Sequence, residues 1–306
     1  MEATKPNAPQ QPKPQAPQVQ KPVAKKTDNK NVASDVKGIK NAIWVIVICF
    51  ILAELFYVFG LGNGANFKFS DAGNYFIHFI KPEAVTSAPQ NLMGTMYMGG
   101  IVVPIILTCL FTVIVLAVER FIALKKAAGK GNQTKFVANI KQALNNKDIA
   151  KAEQLCREQK GTVGAIVYSA LQKYKEMETA NLPKEQKLSI IQQQIEEATA
   201  LEMPSLQQNL PICATMTTLG TLLGLFGTVL GMIKSFSALS ASGSPDSTAL
   251  STGISEALVN TASGIATASL ALIAYNYFTN KIDNLTYAVD ELGFALVNTY
   301  AQNHEK

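Results

Sequence analysis

Residues 223–232 read LGLFGTVLGM, near the middle of an apolar run from Leu210 to Ile233. Gly220, Gly224, Gly227 and Gly231 recur there at i, i+4, i+7 and i+11. At about 3.6 residues per turn, those positions fall on one narrow helical face. Thr217, Thr221 and Thr228 form a second stripe beside it. Glycine weakens a helix, so four on one face need a reason. Close packing of helices in a membrane supplies one, with the hydroxyls turned to a shared interior.

Working outward, charge is absent from some segments and crowded into others. The chain has 306 residues, 48% of them hydrophobic, and a net charge of +5. Four stretches are long and apolar enough to cross a bilayer, which takes about 20 helical residues. They are 42–61, interrupted only by Glu54; 98–118, with Pro104 inside; 210–233; and 257–278, rich in Ala, Ser and Thr. The expected fold is all-α: a polytopic helical membrane protein whose long helices extend into a helical domain.

Residues 1–36 alternate proline with Gln, Lys and Ala and predict a disordered, mildly basic tail. The lysines before residue 42 suit a retained membrane anchor better than a cleaved leader. Lysine and arginine counts set the orientation. Residues 1–41 hold eight and 119–209 hold fourteen, whereas 62–97 hold two and 235–256 none. Both termini and the middle region 119–209 are therefore expected in the cytoplasm, with loops 62–97 and 234–256 on the other side.

Within 119–209, Phe136, Ile140 and Leu144 repeat at helical spacing, and Ile149, Ala152 and Leu155 begin another helix. Residues 184–208 predict a long helix running into the 210–233 segment, bent only at Pro204 and Pro211. Its apolar face needs a partner. That is either the returning tail 279–306, through Ile282, Leu285, Val289 and Leu292, or a neighbouring copy. Glu119–Arg120, at the inner end of the second segment, reads as an interfacial anchor. His78 falls in the first outer loop.

The fourth segment is headed by Glu256, followed at i+4, i+7 and i+11 by Asn260, Ser263 and Thr267, with Thr261 on the flank. Hydroxyls in hydrocarbon need partners or water, and a carboxylate there is a functional candidate by default. Two polar stripes on consecutive helices point to a polar lumen or ion path; either stripe alone reads equally as helix packing. Glu54 stands alone. The apolar segments contain no aspartate, no Ser–His pair and no HExxH motif, which argues against an intramembrane enzyme. No cysteine spacing suggests a disulfide framework or a metal site, and no cofactor or nucleic acid is expected.

These residues carry a resemblance. GLFGTVLGMIKSF (224–236), followed by GISEALVNTASGIATASLALIAYNYF (253–278), resembles the MotA/TolQ/ExbB proton-channel family, on its ExbB and TolQ branch. ERFIAL (119–124) and QQQIEEA (192–198) add to the match, which covers roughly 98–300. The resemblance implies a homopentamer in the bacterial inner membrane, enclosing single helices of an ExbD- or TolR-like partner that bring an aspartate. It matches Thr228, Thr261 and Glu256 to the family's proton-pathway residues. It implies a motor that couples the proton motive force to work through a TonB-like protein, with a TolQ-like role in envelope maintenance as the alternative. A non-conducting scaffold would use the same glycines. Relatives often carry proline where this chain has Thr221 and near Leu270. The helix at 42–61 and the proline-rich tail are additions to the usual three-helix plan.

Overall fold

A computed structural model describes residues 38–39, 41–67, 89–242 and 247–304. The proline-rich tail and the central part of the first outer segment, including His78, lie outside the described residues. Helix α1 (Ala42–Leu55) continues through a π-helical turn, Phe56–Leu61, so the first apolar segment is helical throughout. After a 3₁₀ turn at Gly64–Asn66 come α2 (Leu92–Tyr97), α3 (Val102–Ala127), α4 (Gln133–Asn145), α5 (Ile149–Gln159), α6 (Thr162–Thr179), α7 (Lys184–Gln207), α8 (Leu210–Ser242) and α9 (Ser247–Asn303). Four helical stretches, containing α1, α3, α8 and α9, are long and apolar enough to cross a membrane. The chain is a polytopic helical membrane protein.

Helix α1 turns Val45, Cys49, Ala53 and Tyr57, one per turn, onto α3, and leaves Ile43, Trp44, Ile48 and Ile51 on the outside. That sidedness suits a helix with protein on one face and lipid on the other. Helix α9 packs along α8 and also against α3.

The shorter helices α4–α7 and the far half of α9 form a bundle outside the apolar spans. Side-chain caps start two of them. Asn132 accepts from the Thr134 amide and Asp148 from the Lys151 amide, each replacing a bond the first turn lacks. Phe136, Ile140 and Leu144 are buried in this core, as their spacing predicts, with Cys156, Leu171, Tyr174 and Ile191. The apolar face of α7 finds its partner within the chain: Ile282, Leu285, Val289 and Leu292 of α9 close the same core.

Two expectations need correction. The stretch 234–256 is not a loop of that length: α8 runs on to Ser242 and α9 begins at Ser247. Apolarity marks where lipid ends, and helices continue past it. Nor is there one helix through 184–233 with proline bends. Pro204 sits inside α7, and the break falls at Gln208, which leaves the helical region at ψ 137°, and Asn209, which is left-handed at φ 65°. Pro211 explains the position. It has no amide to offer the Gln207 carbonyl, and its ring would collide with that carbonyl in a continuous helix.

Arg120 covers the break. It is fully buried, is paired with Glu119, and donates from Nη1 to the carbonyls of Ser205 (3.2 Å) and Leu206 (3.3 Å). These carbonyls are left over at the end of α7, where a cation is also favoured by the helix dipole. The residue read as an interfacial anchor is thus an internal cap. Glu119 also accepts the Ile39 amide, and Gln208 and Asn209 donate to the Ile39 carbonyl, which fixes the entry to α1 at the same joint.

Candidate functional site

The glycine stripe of α8 faces α9 of the same chain. A Cβ at Gly220 would lie 3.0 Å from the Gly264 carbonyl oxygen, and one at Gly264 would lie 2.5 Å from that of Gly220. Gly224 meets the backbone of Asn260, Thr261 and Gly264 at 3.3 Å. A Cβ at Gly227 would be 2.4 Å from Asn260 Cβ, and one at Gly231 would be 2.8 Å from Ala257 Cβ. A methyl would collide at Gly227, Gly231 and Gly264, and at Gly220 and Gly224 it would fit only if the facing backbone gave way by a few tenths of an ångström. Helix α9 supplies the complement in Gly253, Ala257 and Gly264, a second small-residue row that the sequence reading passed over. Antiparallel helices joined this closely gain dispersion and backbone contact, which is what lipid leaves available to hold them.

The threonines divide by position. Thr261 lies at the seam and donates to the carbonyls of Gly224 (3.1 Å) and Ala257 (3.3 Å). Thr228 is half-buried and donates to its own helix at Leu225 O, 2.6 Å away; Thr221 is exposed and donates to Thr217 O. These back-bonds satisfy each hydroxyl hydrogen inside the helix and leave the oxygen free to accept from outside.

The stripe headed by Glu256 is less uniform than its spacing suggests. Asn260 and Thr267 are each 1% exposed and lie within the chain's own packing. Asn260 Nδ2 donates to the Gly99 carbonyl at the turn between α2 and α3 (2.9 Å), and Thr267 donates to Ser263 O (2.9 Å). Ser263 is half-buried. The expected open polar face at Asn260 and Thr267 is therefore covered, because α3 and its preceding turn pack on that side of α9. Of the stripe members, Thr221 is exposed on the single chain, and Thr217, Thr228 and Ser263 are half-buried.

Glu256 is not isolated. Its Oε2 accepts from Lys234 Nζ at 2.9 Å, the carboxylate side chain being 12% exposed and the lysine side chain 61%. In the sequence, Lys234 is marked only as the first charge after the glycine run, and Arg120 only as a charge next to an apolar helix, like an ordinary boundary residue.

The stretch matched by a known family includes these helices. Residues 158–291 match the model of the MotA/TolQ/ExbB proton channel family. The Tol-Pal system protein TolQ of Haemophilus influenzae is 37% identical over 82 residues, 27% of this chain and 36% of that protein. The biopolymer transport protein ExbB of Helicobacter pylori is 40% identical over 81 residues, 26% of this chain and 56% of that one. ExbB of Pseudomonas putida is 24% identical over 152 residues, 50% of this chain and 46% of that one. The chain thus spans from about a third to little more than half of these relatives' lengths. The family resemblance carried by the two motifs is borne out: both motifs lie within the matched residues 158–291, and ExbB and TolQ are both represented among the relatives.

Proposed function

We propose that this chain is an ExbB-like subunit of a proton-driven motor in the bacterial inner membrane. The observation that carries the reading is the α8–α9 pair. Its glycine seam and its Thr228, Thr261 and Glu256 fall inside the stretch matched by a proton-channel family. The subunits assemble as a homo-oligomer, a pentamer by resemblance, with the outward α8 threonines toward a central single-helix partner of the ExbD or TolR kind. Both termini and the distal bundle are cytoplasmic.

The chemistry follows from what the chain contains and lacks. Thr228 and Thr261 do not titrate near neutral pH, and the four apolar segments hold no aspartate. They offer hydroxyl oxygens whose own hydrogens are already placed. A partner carboxylic acid donates to such an oxygen when protonated and loses that bond when ionised. The partner helix is held in one state and released in the other. One charge moved across the membrane potential supplies about 2.3 kcal/mol per 100 mV, so several protons accompany each useful stroke. A TonB-like protein takes up the work and energises transport across the outer membrane.

The test is uptake of an iron chelate in cells that depend on this chain. Thr228→Val and Glu256→Gln should abolish uptake with the protein still assembled and co-purifying with its partner. Full uptake in both variants would favour a scaffold without ion flow. A relative named TolQ supports a second reading, envelope maintenance. Complementation decides between them: rescue of envelope integrity without rescue of iron uptake assigns the chain to that role.

A further inference from the structure

A pocket of about 820 Å³ lies where α3, α4 and α9 meet, at the edge of the apolar spans. Phe121 and Lys125 line it from α3, Tyr277 and Lys281 from α9, and Gln133 and Thr134 from the start of α4. Its level follows from the sequence. On both spanning helices an aromatic residue stands at or just past the end of the apolar run, and a lysine follows four residues later. That spacing sets each ring and its lysine on one helix face. A ring at headgroup level with a cation reaching beyond it toward water is the arrangement of a membrane–water interface. The floor is apolar: Leu124, Val137, Phe278, Leu285 and Ala288 line it and are buried, whereas Phe121 and Tyr277 at the rim are 52% and 46% exposed.

The charge of the pocket is unbalanced. Glu291 is the one acid among its lining residues, and it is paired with Lys141. Lys125 and Lys281 have no acidic partner among the described residues; Lys281 instead lies over the Tyr277 ring, 5.8 Å from its centroid. The first turn of α4 brings the positive end of its dipole to the same place. We infer that this pocket binds an anionic phospholipid of the leaflet on the side of the distal bundle. Lys125 and Lys281 take the phosphate, and the upper acyl chain lies against Phe121, Leu124 and Phe278. The volume falls within the range of small-molecule sites, about 300–1,000 Å³, which suits a headgroup and the first carbons of its chains, the rest staying in the bilayer. A soluble anion would leave the apolar floor uncovered, and a zwitterionic lipid would leave the two cations without a net counter-charge. The chain's own residues 1–41, with eight lysines against three acids, bring the wrong sign. The assignment needs only that the chain span a membrane, so it stands apart from the motor reading.

Native mass spectrometry of the full chain in detergent, with phosphatidylglycerol and phosphatidylcholine supplied in equal amounts, tests this. The wild type is expected to retain phosphatidylglycerol in preference. The preference should fall about fivefold for each lysine removed in Lys125→Gln and Lys281→Gln. Lys126→Gln combined with Lys130→Gln removes the same charge from neighbouring positions outside the pocket and should leave the preference as it was. Ala138 is exposed and lines the pocket, so Ala138→Trp fills the space without changing charge and should lower retention. No preference in the wild type, or an equal loss in the Lys126 and Lys130 variant, overturns the site; the second result would reduce it to diffuse surface attraction. Displacement of the lipid by inorganic phosphate, but not by chloride at equal ionic strength, assigns the pocket to a soluble anion instead. Loss of the oligomer in the Lys125 and Lys281 variant, with the lipid preference unchanged, makes the pocket a contact between copies and overturns the inference as well.

Discussion

The distal bundle and the α8–α9 pair are built by opposite rules from one chain. In the bundle, large apolar residues are inside: Ile191, Leu206, Leu292, Leu296 and Tyr300 are all essentially fully buried. In the pair, Leu222, Leu225, Phe226, Ile233, Leu258, Ile265 and Ile273 are outside, and the seam is glycine, alanine, asparagine and threonine. Water drives the first arrangement, since burying apolar surface is what it rewards. Lipid gives no such reward, so large side chains face it and small ones let backbones meet. A residue's size therefore carries opposite meaning in the two halves.

This contrast can be broken by substitution. The largest effect is expected from enlarging a seam residue. In Gly227→Leu the new side chain would enter the Asn260 position, and the hairpin should fail to assemble, read as loss of the proposed oligomer on native gels. The same enlargement at an outward position, Leu225→Phe, should leave the oligomer intact.

Next comes the joint between the halves. Arg120→Ala leaves Glu119 and two helix-end carbonyls without their cation, and removing one partner of a buried pair typically costs about 3–5 kcal/mol. A clear drop in melting temperature in detergent is expected, and an unchanged melt would show that the cap is dispensable. Cutting a large residue in the bundle should cost a comparable or slightly smaller amount: Leu292→Ala about 2–5 kcal/mol, from lost burial and the cavity left behind. Thr261→Val should cost less, about 1 kcal/mol, the scale of single interhelical hydrogen bonds in membranes. If Thr261→Val destabilised as much as Leu292→Ala, the proposed division between the halves would fail.

The smallest effect is chemical. Burial, with Glu153 nearby, pushes the Cys156 thiol up to about 12. The unfolded chain ionises it at the ordinary lower value, so the stability it contributes is intact below that value and falls as pH rises from there toward 12. At pH 8, Cys156 should resist alkylation in the folded protein and react on denaturation, as followed by peptide mass spectrometry. Equal labelling in both states would show that this part of the core is open.

Much of this was legible in the sequence. The four apolar segments, the glycine face and the Phe136–Ile140–Leu144 repeat are periodic signals, and each appears in the structure where its spacing puts it. Less legible were features created by two distant stretches meeting. Lys234 and Glu256 are 22 residues apart and pair only because α8 and α9 run antiparallel. Arg120 reaches carbonyls 85 and 86 residues away. The Gln208–Asn209 break has a local cause in Pro211, but Pro204, seven residues earlier, is absorbed without one. The burial of Asn260 depends on the Gly99–Gly100 turn, which no periodicity on α9 announces.

The unbroken length of α9 has a mechanical consequence. Its 57 residues make a rod about 85 Å long at 1.5 Å per residue. A tilt of about one degree at the glycine seam, about 60 Å from the far end, moves that end by about 1 Å, with no joint along the way to absorb it. The companion strut, α7 plus α8, is jointed at Asn209. The pair thus works as a pushrod beside a wrist, and any difference in their travel must be taken up where Arg120 grips the end of α7.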